Sequence, residues 1–314
     1  MTGAPVIVIF GPTASGKSSL AIDVAREFDG VIVNADSMQV YEELRVLTAR
    51  PGAADEALVP HKLYGVLSAA EVCSAGRWLE LAVPEIEAAW GANKLPIVVG
   101  GTGLYIRALM EGLNDMPEIP DECREAARSK FAEIGPEAFH ELLAEADPIS
   151  AARIGPSDPQ RMMRAYEVYL SSGRPLSEWQ AEAPAPPLDA RFLVIALRPD
   201  RDDLYAACDG RAAAMLADGA LDEAAALAQM NLDPGLPAMK ALGVPDLLRH
   251  IRGEASREEA LASLRQATRN YAKRQMTWLN HQISADLTIF EQYSESFREK
   301  IFSKVRKNVL TAQG

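Results

Sequence analysis

The sequence predicts an α/β fold in which a parallel sheet core carries a helical insertion. At the N-terminus, an apolar strand pattern at residues 6–10 runs into a glycine-rich loop and then an amphipathic helix pattern. Similar strand patterns recur at residues 31–34, 95–99 and 191–197 and alternate with helical ones, as is typical of parallel sheets. Between about residues 114 and 187 the strand patterns disappear and helix signals dominate.

The loop at residues 11–18, GPTASGKS, matches the phosphate-binding pattern G-x-x-x-x-G-K-[ST] at every required position. Its glycines let backbone N–H groups turn toward a phosphate, Lys17 adds a positive charge and Ser18 can hold Mg²⁺. We therefore predict a P-loop NTPase-like core. A glycine-rich turn that binds nothing fits less well, because a strand and a helix flank the loop in the required order. The residues predicted to bind the polyphosphate are Gly11, Pro12, Thr13, Ala14, Ser15, Gly16, Lys17 and Ser18.

Two further strand ends predict side chains at the same crevice. The strand at residues 31–34 leads to Asp36, and ligands of doubly wound sheets lie outside the carboxyl ends of the strands. Asp36 can coordinate a metal, bind substrate or accept a proton, or it can simply cap the next turn. The strand at 95–99 leads to GGTG at residues 100–103, which carries Thr102. No Asp ends this strand, where P-loop nucleotidases usually hold Mg²⁺, so ATP or GTP hydrolysis is disfavoured.

We predict three segments: a first part of the catalytic core at 1–113, the helical insertion at 114–187, and a second part of the core at 188–314. In the insertion, Arg161 and Arg164 share a helix face, where they can contact phosphates, although pairing with local acids is the default. The expected helices are 74–90, 121–134, 136–146, 159–171, 200–218, 221–229, 237–251 and 256–281, with an edge strand at 286–290.

A stretch near the C-terminal end, residues 265–307, is basic on an otherwise acidic protein. Formal net charge is −12, yet residues 265–307 contain nine basic and four acidic residues. A solvated helix face can explain this run as well as a nucleic-acid contact can. Arg211 lies near an apolar helix stripe, so its head either reaches into a site or stays exposed. The tail from Tyr293 onward is expected to be loosely held.

Composition limits the class of protein. Hydrophobic residues make up 48% of the chain, and we find neither an apolar run long enough for a membrane span nor a signal-peptide pattern. The three cysteines form no C-x-x-C pair, which argues against a disulfide framework or a zinc site. We therefore expect a cytoplasmic protein without a membrane partner.

The motifs, taken in order, resemble those of the tRNA dimethylallyltransferases, in the compact bacterial form without a zinc finger. They are GPTASGKS at 11–18, NADSMQVY at 34–41, PHKL at 60–63, GGTGLYIRAL at 100–109, QRMMRAYEVYLSSGRPLSEWQ at 160–180, R-x-x-x-M-L at 211–216 and ATRNYAKRQMTWL at 267–279.

The resemblance implies transfer of a dimethylallyl group from dimethylallyl diphosphate to the N6 amine of the adenosine 3′ of the anticodon (position 37) in tRNA, with release of pyrophosphate. It implies that Asp36 is the general base and that Lys17, Thr102 and Arg211 stabilise the leaving group. Mg²⁺ is the implied cofactor, near Ser18. No protein partner is required, and we expect a monomer. The positions implied to contact tRNA are Asp36, Ser37, Met38, Gln39, Thr102, Arg124, Gln160, Arg161, Met162, Met163, Arg164, Lys273, Arg274 and Gln275.

One segment departs from the family pattern. Members usually have Gly-Tyr before the basic helix, whereas residues 241–245 here read ALGVP, which leaves the role of this segment open.

Three other functions share part of the sequence pattern. A small-molecule kinase would explain residues 6–36, but neither the insertion nor the basic helix. Prenyl transfer to free AMP would use the same core chemistry without needing the insertion. An RNA-binding GTPase is disfavoured by the missing strand-end Asp and by the lack of an N-K-x-D motif.

Overall fold

The computed structural model describes residues 3–310, which form two compact units. The first unit runs to Met110 and resumes at Pro187, and the second is Glu111–Pro186. Compared with the predicted insertion at 114–187, the second unit starts three residues earlier and ends one residue earlier. None of the helices among residues 3–310 has the length and apolarity to cross a membrane.

A parallel sheet forms the middle of the first unit, and within residues 3–310 it has six strands. The order is β3-β2-β4-β1-β5-β6. In chain order the strands are β1 (Ala4–Phe10), β2 (Gly30–Asn34), β3 (His61–Lys62), β4 (Leu95–Gly100), β5 (Ala190–Leu197) and β6 (Leu287–Ile289). All pairs are parallel, so the loops that follow β1, β2 and β4 meet at one edge. The central strand β1 is buried from Val6 to Phe10 because apolar clusters cover both faces of the sheet.

Helices connect these strands. In the first unit they are α1 (Lys17–Glu27), α2 (Ala53–Leu58), α3 (Ala75–Gly91), α4 (Gly103–Glu111, which runs one residue into the second unit), α9 (Arg201–Ala217), α10 (Ala220–Gln229), α11 (Val244–Ile251), α12 (Arg257–Gln282) and α13 (Arg298–Leu310). The second unit contains α5 (Asp121–Ala146), α6 (Pro148–Arg153), α7 (Pro159–Ser172) and α8 (Leu176–Ala181).

Two sequence-based expectations are wrong. The helix expected over 237–251 is broken: a 3₁₀ turn at Ala238–Lys240 precedes α11, and Gly243 between them has φ +88, a left-handed conformation that favours glycine. From Tyr293 to Leu310 the tail is not loosely held, and its last four residues lie outside the described range. It forms α13, whose Ile301 and Val305 are fully buried in an apolar cluster with α1 and one sheet face.

The second unit has its own core, in which Phe139, Leu143 and Met162 are fully buried. The predicted break between its first two helices is present as a kink at Gly135, where φ is +76. Asp147 is a buried carboxylate that accepts hydrogen bonds from both the N–H and the hydroxyl of Ser150 and of Ser177, at 2.6–2.9 Å. Four donors satisfy its charge, which lets it join the first turns of α6 and α8 inside the unit.

Candidate active site

The glycine loop joins β1 to α1 and lines a cavity of about 110 Å³, the P-loop cavity. All the loop residues from Thr13 to Ser18 line it, whereas Gly11 and Pro12 lie behind and are buried. Gly16 takes the left-handed conformation, with φ +89, and Lys17 then begins α1. In this structure the Lys17 ammonium donates to the Pro12 carbonyl at 2.7 Å.

The surroundings of Lys17 disfavour the charged form of its ammonium group. Burial and, secondly, the neighbouring Arg211 lower its pKa from 10.5 to about 8, while Asp36 acts in the opposite direction. Two cations held close together in a partly desolvated cavity form a site that favours an anion.

Arg211 lies on α9 and reaches into the cavity. Its guanidinium donates to the Thr13 hydroxyl at 2.8 Å, across 198 residues of chain. The sequence left open whether the Arg211 guanidinium reaches into a site or stays exposed, and in the structure it reaches into the P-loop cavity. Burial lowers the pKa of Arg211, but an arginine keeps its charge at physiological pH.

Asp36 lies two residues after the end of β2 and lines the P-loop cavity. Its Oδ1 accepts the Met38 N–H at 3.0 Å, so Asp36 caps a turn as well as lining the site. The turn is fixed by Asn34, a fully buried residue. The Asn34 side chain accepts the Asp36 N–H at 2.9 Å and donates to the carbonyls of Asp36 and Leu63. Sequence reasoning missed Asn34, although a polar residue that ends an apolar strand was the available signal.

Thr102 connects the loop after β4 to the loop after β2. Its hydroxyl oxygen accepts the Ser37 N–H at 2.9 Å and lies 3.2 Å from the Ser37 hydroxyl. A Cβ on Gly100 would lie 2.1 Å from the Ala35 carbonyl oxygen, so the glycine permits this approach. Thr102 is not among the residues that line either cavity described here. In this structure the Thr102 hydroxyl binds Ser37, and its implied contact with the leaving group stays a prediction.

A second cavity, of about 200 Å³, adjoins the first. The two cavities share Thr13, Asp36, Thr48 and Arg211. Most of the second wall is apolar and comes from Met38, Leu47, Met215, Ala241, Leu242 and Leu264. A phosphate-type cavity and an apolar cavity therefore meet at one carboxylate and one guanidinium. The segment at 241–245, whose role the sequence left open, supplies part of this apolar wall.

A carboxylate fixes the outer wall of the apolar cavity. Glu223 on α10 accepts the backbone N–H groups of Arg45, Val46 and Leu47 at 2.8, 2.7 and 2.9 Å. These bonds hold the loop that presents Leu47 and Thr48 to the cavity. No sequence motif marked Glu223, because its partners are backbone groups.

Two residues implied to contact tRNA are buried instead. Gln275 is 5% exposed, and its side chain accepts the Thr13 N–H at 2.7 Å and donates to the Gly101 carbonyl at 3.0 Å. Met162 is fully buried in the core of the second unit. Neither side chain is presented to a large partner: Gln275 joins the two glycine loops, and Met162 is a packing residue.

The other residues implied to contact tRNA lie in separate places. Ser37, Met38 and Gln39 line the cavities, and Lys273 and Arg274 are exposed on α12, where Arg274 borders the apolar cavity. In the second unit Gln160, Arg161 and Arg164 line a groove of about 630 Å³ with Arg153, while Met163 is half-buried beside them. As the default predicted, local acids pair with Arg161 and Arg164, which bind Asp158 and Glu167. Arg124 likewise pairs with Asp121.

The donors available for Mg²⁺ are few. Among residues 3–310, no three His, Cys, Asp or Glu side chains group as they would for a metal. The exposed Ser18 hydroxyl and Asp36 both line the P-loop cavity. Mg²⁺ commonly takes one or two protein ligands and completes its shell with substrate phosphates and water, so this set fits a cation that arrives with a diphosphate.

Comparison with known proteins decides the family. The family model described as IPP transferase matches residues 39–282, and one described as isopentenyl transferase matches residues 4–62. The chain belongs to the IPP transferase family. The predicted resemblance and the P-loop NTPase-like α/β fold are both confirmed.

Curated and solved IPP transferase relatives match nearly the whole chain. A tRNA dimethylallyltransferase of Paramagnetospirillum magneticum is 51% identical over 311 residues, 99% of each chain. One from Rhodospirillum centenum is 56% identical over 282 residues, 90% of each. The crystal structure of the tRNA isopentenylpyrophosphate transferase of Bacillus halodurans superposes with a TM-score of 0.71 at 28% identity, covering 98% of both chains. A eukaryotic dimethylallyltransferase acting on tRNA gives a TM-score of 0.81 at 27% identity, over 96% of this chain and 77% of that one.

Proposed function

We propose that this enzyme transfers the dimethylallyl group of dimethylallyl diphosphate to the N6 amine of the adenosine immediately 3′ of the anticodon in tRNA, releasing pyrophosphate. The observation that carries the proposal is the meeting of the P-loop cavity and the apolar cavity at Asp36 and Arg211. One cavity suits the diphosphate and the other suits the allyl group and the base. The names of the relatives support the same assignment.

The leaving group determines the chemistry of the P-loop cavity. The N6 lone pair attacks the first allyl carbon, the bond from that carbon to the bridging oxygen breaks, and the electron pair leaves with pyrophosphate. Lys17 and Arg211 both line this cavity, and in this proposal they stabilise the growing negative charge as preorganised donors that act on the transition state. Mg²⁺, held by Ser18 and the diphosphate, would add charge stabilisation when bound.

Asp36 is the base in this proposal. The attacking amine must lose a proton as it becomes a secondary amine. Asp36 Oδ1 is engaged by the Met38 N–H, and Oδ2 has no hydrogen-bond partner among residues 3–310. Oδ2 is thus free to orient the amine and accept the proton. The Asn34 network keeps the carboxylate at the point where both cavities meet.

The tRNA contacts are proposed for exposed cations. A single-stranded anticodon loop offers bases that can be unstacked, and a base modified at its exocyclic group must leave its stack to enter a pocket. Lys273 and Arg274 on α12, and Arg161 and Arg164 on α7, present charge for the phosphates. We propose that the reaction takes place in the cytoplasm. We also propose that the enzyme is a monomer, and sedimentation at micromolar concentration tests this oligomeric state.

One assay separates this function from its rivals. The protein and Mg²⁺ are incubated with labelled dimethylallyl diphosphate and an unmodified tRNA whose anticodon is followed by adenosine. Label in tRNA supports the proposal. Label in AMP but not in tRNA favours the free-nucleotide prenyltransferase. Phosphate transfer from ATP to a small acceptor, without prenyl transfer, favours the kinase.

Diphosphate binding should weaken at high pH. The free enzyme has a Lys17 pKa of about 8, and only charged Lys17 attracts the diphosphate. Below pH 8 the charge is present; as pH rises through 8 the free enzyme loses it, so binding must then take up a proton. We expect kcat/KM for dimethylallyl diphosphate to fall above about pH 8, with kcat less affected. A flat kcat/KM between pH 7 and 9.5 would contradict the assignment.

Lys273→Ala should weaken tRNA binding and leave the chemistry at saturating tRNA nearly unchanged. Lys273 is exposed on α12, and a phosphate contact there contributes about one unit to the slope of log K against log salt. Filter binding at several salt concentrations measures this slope. Lys94→Ala is the control, since Lys94 precedes β4 at the opposite end of the strands, where it pairs with Asp29. Equal effects of the two variants would exclude a specific Lys273 contact.

A further inference from the structure

The segment after β6 returns to the glycine loop and touches it from outside. The Tyr293 N–H donates to the Ser15 carbonyl at 3.2 Å. Tyr293 also lies against Gly16, where an added Cβ would be 2.8 Å from the Tyr293 Cβ. Gly16 has φ +89, so this contact is made at the residue whose conformation turns the loop into α1.

A carboxylate on α1 secures this contact. Asp23 accepts the Tyr293 hydroxyl at 2.6 Å, and the Arg298 guanidinium binds it through two nitrogens at 2.9 and 2.7 Å. The Asp23 side chain is only 12% exposed, so this two-point pairing is largely shielded from solvent. Asp23, Tyr293 and Arg298, which we term the tyrosine clamp, therefore join α1, the glycine loop and α13.

The same two helices share a second ion pair that does not touch the loop. Arg306 pairs with Glu27 at 3.0 Å, at the far end of α1 from Lys17, and the two side chains are 56% and 40% exposed. An exposed pair of this kind contributes little to stability. It provides an internal control for any effect of joining α13 to α1.

The conformation of the glycine loop leaves the hydroxyl group of Ser15 without a hydrogen bond to any described residue. The Ser15 hydroxyl is fully buried and has no hydrogen-bond partner among residues 3–310. A buried hydroxyl left unsatisfied is uncommon and unfavourable, so surrounding contacts must maintain the conformation. The tyrosine clamp supplies such contacts at both Ser15 and Gly16.

We propose that Asp23, Tyr293 and Arg298 are positioning residues that preorganise the glycine loop for the diphosphate of the prenyl donor. This inference rests on the proposed function for the identity of the ligand. A loop fixed before binding loses less conformational freedom on binding, so the clamp increases affinity without touching the substrate. Chemistry at saturation does not depend on it, because the bound diphosphate then orders the loop itself.

The test compares Arg298→Ala with Arg306→Ala. Calorimetry with inorganic pyrophosphate and Mg²⁺ measures loop affinity, steady-state kinetics give KM for dimethylallyl diphosphate and for tRNA, and thermal unfolding gives Tm. We expect Arg298→Ala to weaken pyrophosphate binding and raise KM for dimethylallyl diphosphate about tenfold, the lower end of the losses seen when residues that orient metal ligands are changed. The tRNA KM and kcat should stay near wild type, Arg306→Ala should match wild type, and Arg298→Lys should be intermediate.

Distinct results would overturn the proposal. Equal affinity losses in Arg298→Ala and Arg306→Ala, following their Tm losses, would show that α13 acts only on stability. If Arg298→Ala fails to fold, Tyr293→Phe removes only the hydroxyl, and unchanged pyrophosphate affinity there would overturn the clamp. If wild type binds pyrophosphate but transfers no prenyl group to tRNA, the proposed function fails, while the pyrophosphate measurements still decide the clamp.

Discussion

Asp36→Asn is expected to lower the rate of prenyl transfer by ~10²-fold or more while tRNA binding is largely retained. Asparagine keeps an oxygen that can accept the Met38 N–H, so the turn after β2 survives. What it loses is the capacity to take a proton from the attacking amine. The expected effect is therefore on the chemical step and not on the shape of the cavity.

Single-turnover kinetics at saturating tRNA and dimethylallyl diphosphate measure this step directly. Asp36→Ala is the companion variant: it loses both the base and the turn, so its rate should fall at least as far and its tRNA affinity should fall too. A near-normal rate in Asp36→Asn would remove Asp36 as the base and leave it the capping role alone.

Lys17→Met should nearly abolish transfer and at the same time stabilise the fold. Loss of one preorganised donor to a developing negative charge typically lowers kcat by about 10²–10³-fold. The stability effect has the opposite sign. The lowered pKa of Lys17, caused by burial and by Arg211, means that the folded chain holds this charge less readily than the unfolded chain does.

The effect of Lys17 on stability depends on pH. Below pH 8 Lys17 is charged in both states, and its unfavourable environment then destabilises the fold; between pH 8 and 10.5 the folded form sheds the proton and the penalty disappears. Lys17→Met should therefore raise Tm at pH 7, by about 2–4 °C per kcal/mol gained, and the gain should shrink above pH 8. Lys304→Met, which changes an exposed lysine on α13, serves as control. A lower Tm at pH 7 would contradict the electrostatic account.

Local motifs allowed the glycine loop and both strand ends to be predicted from the sequence. A loop whose function depends on backbone N–H groups needs only its own glycines and flanking elements, so residues 11–18 carry most of the information. Asp36 and Thr102 were placed at the right edge because parallel strands all end there. The bond between the Thr102 hydroxyl and Ser37, across 65 residues of chain, had no signal in the sequence.

Contacts between segments far apart in the chain could not be predicted from local sequence motifs. Gln275 lies on a basic helix, and only the fold shows that it turns inward to join Thr13 and Gly101. In α13, basic residues suggested a solvated tail, although Ile301 and Val305 have the i, i+4 spacing of a buried helix face. The left-handed Gly243 gave no local signal beyond its identity.

The place where the chain enters and leaves the second unit has a consequence for how the protein assembles. Gly112 lies so close to Ala185 that an added Cβ would be 2.2 Å from the Ala185 carbonyl oxygen. The central strand β1 must pair with β5, for example Val6 with Phe192, so the sheet closes only after the intervening chain has been synthesised. Loop-closure entropy grows with the length of flexible chain between the partners. Because the ends of the insertion touch, a folded insertion adds little flexible chain between β1 and β5. The insertion can therefore change in length or sequence with little effect on the entropy cost of pairing these two strands.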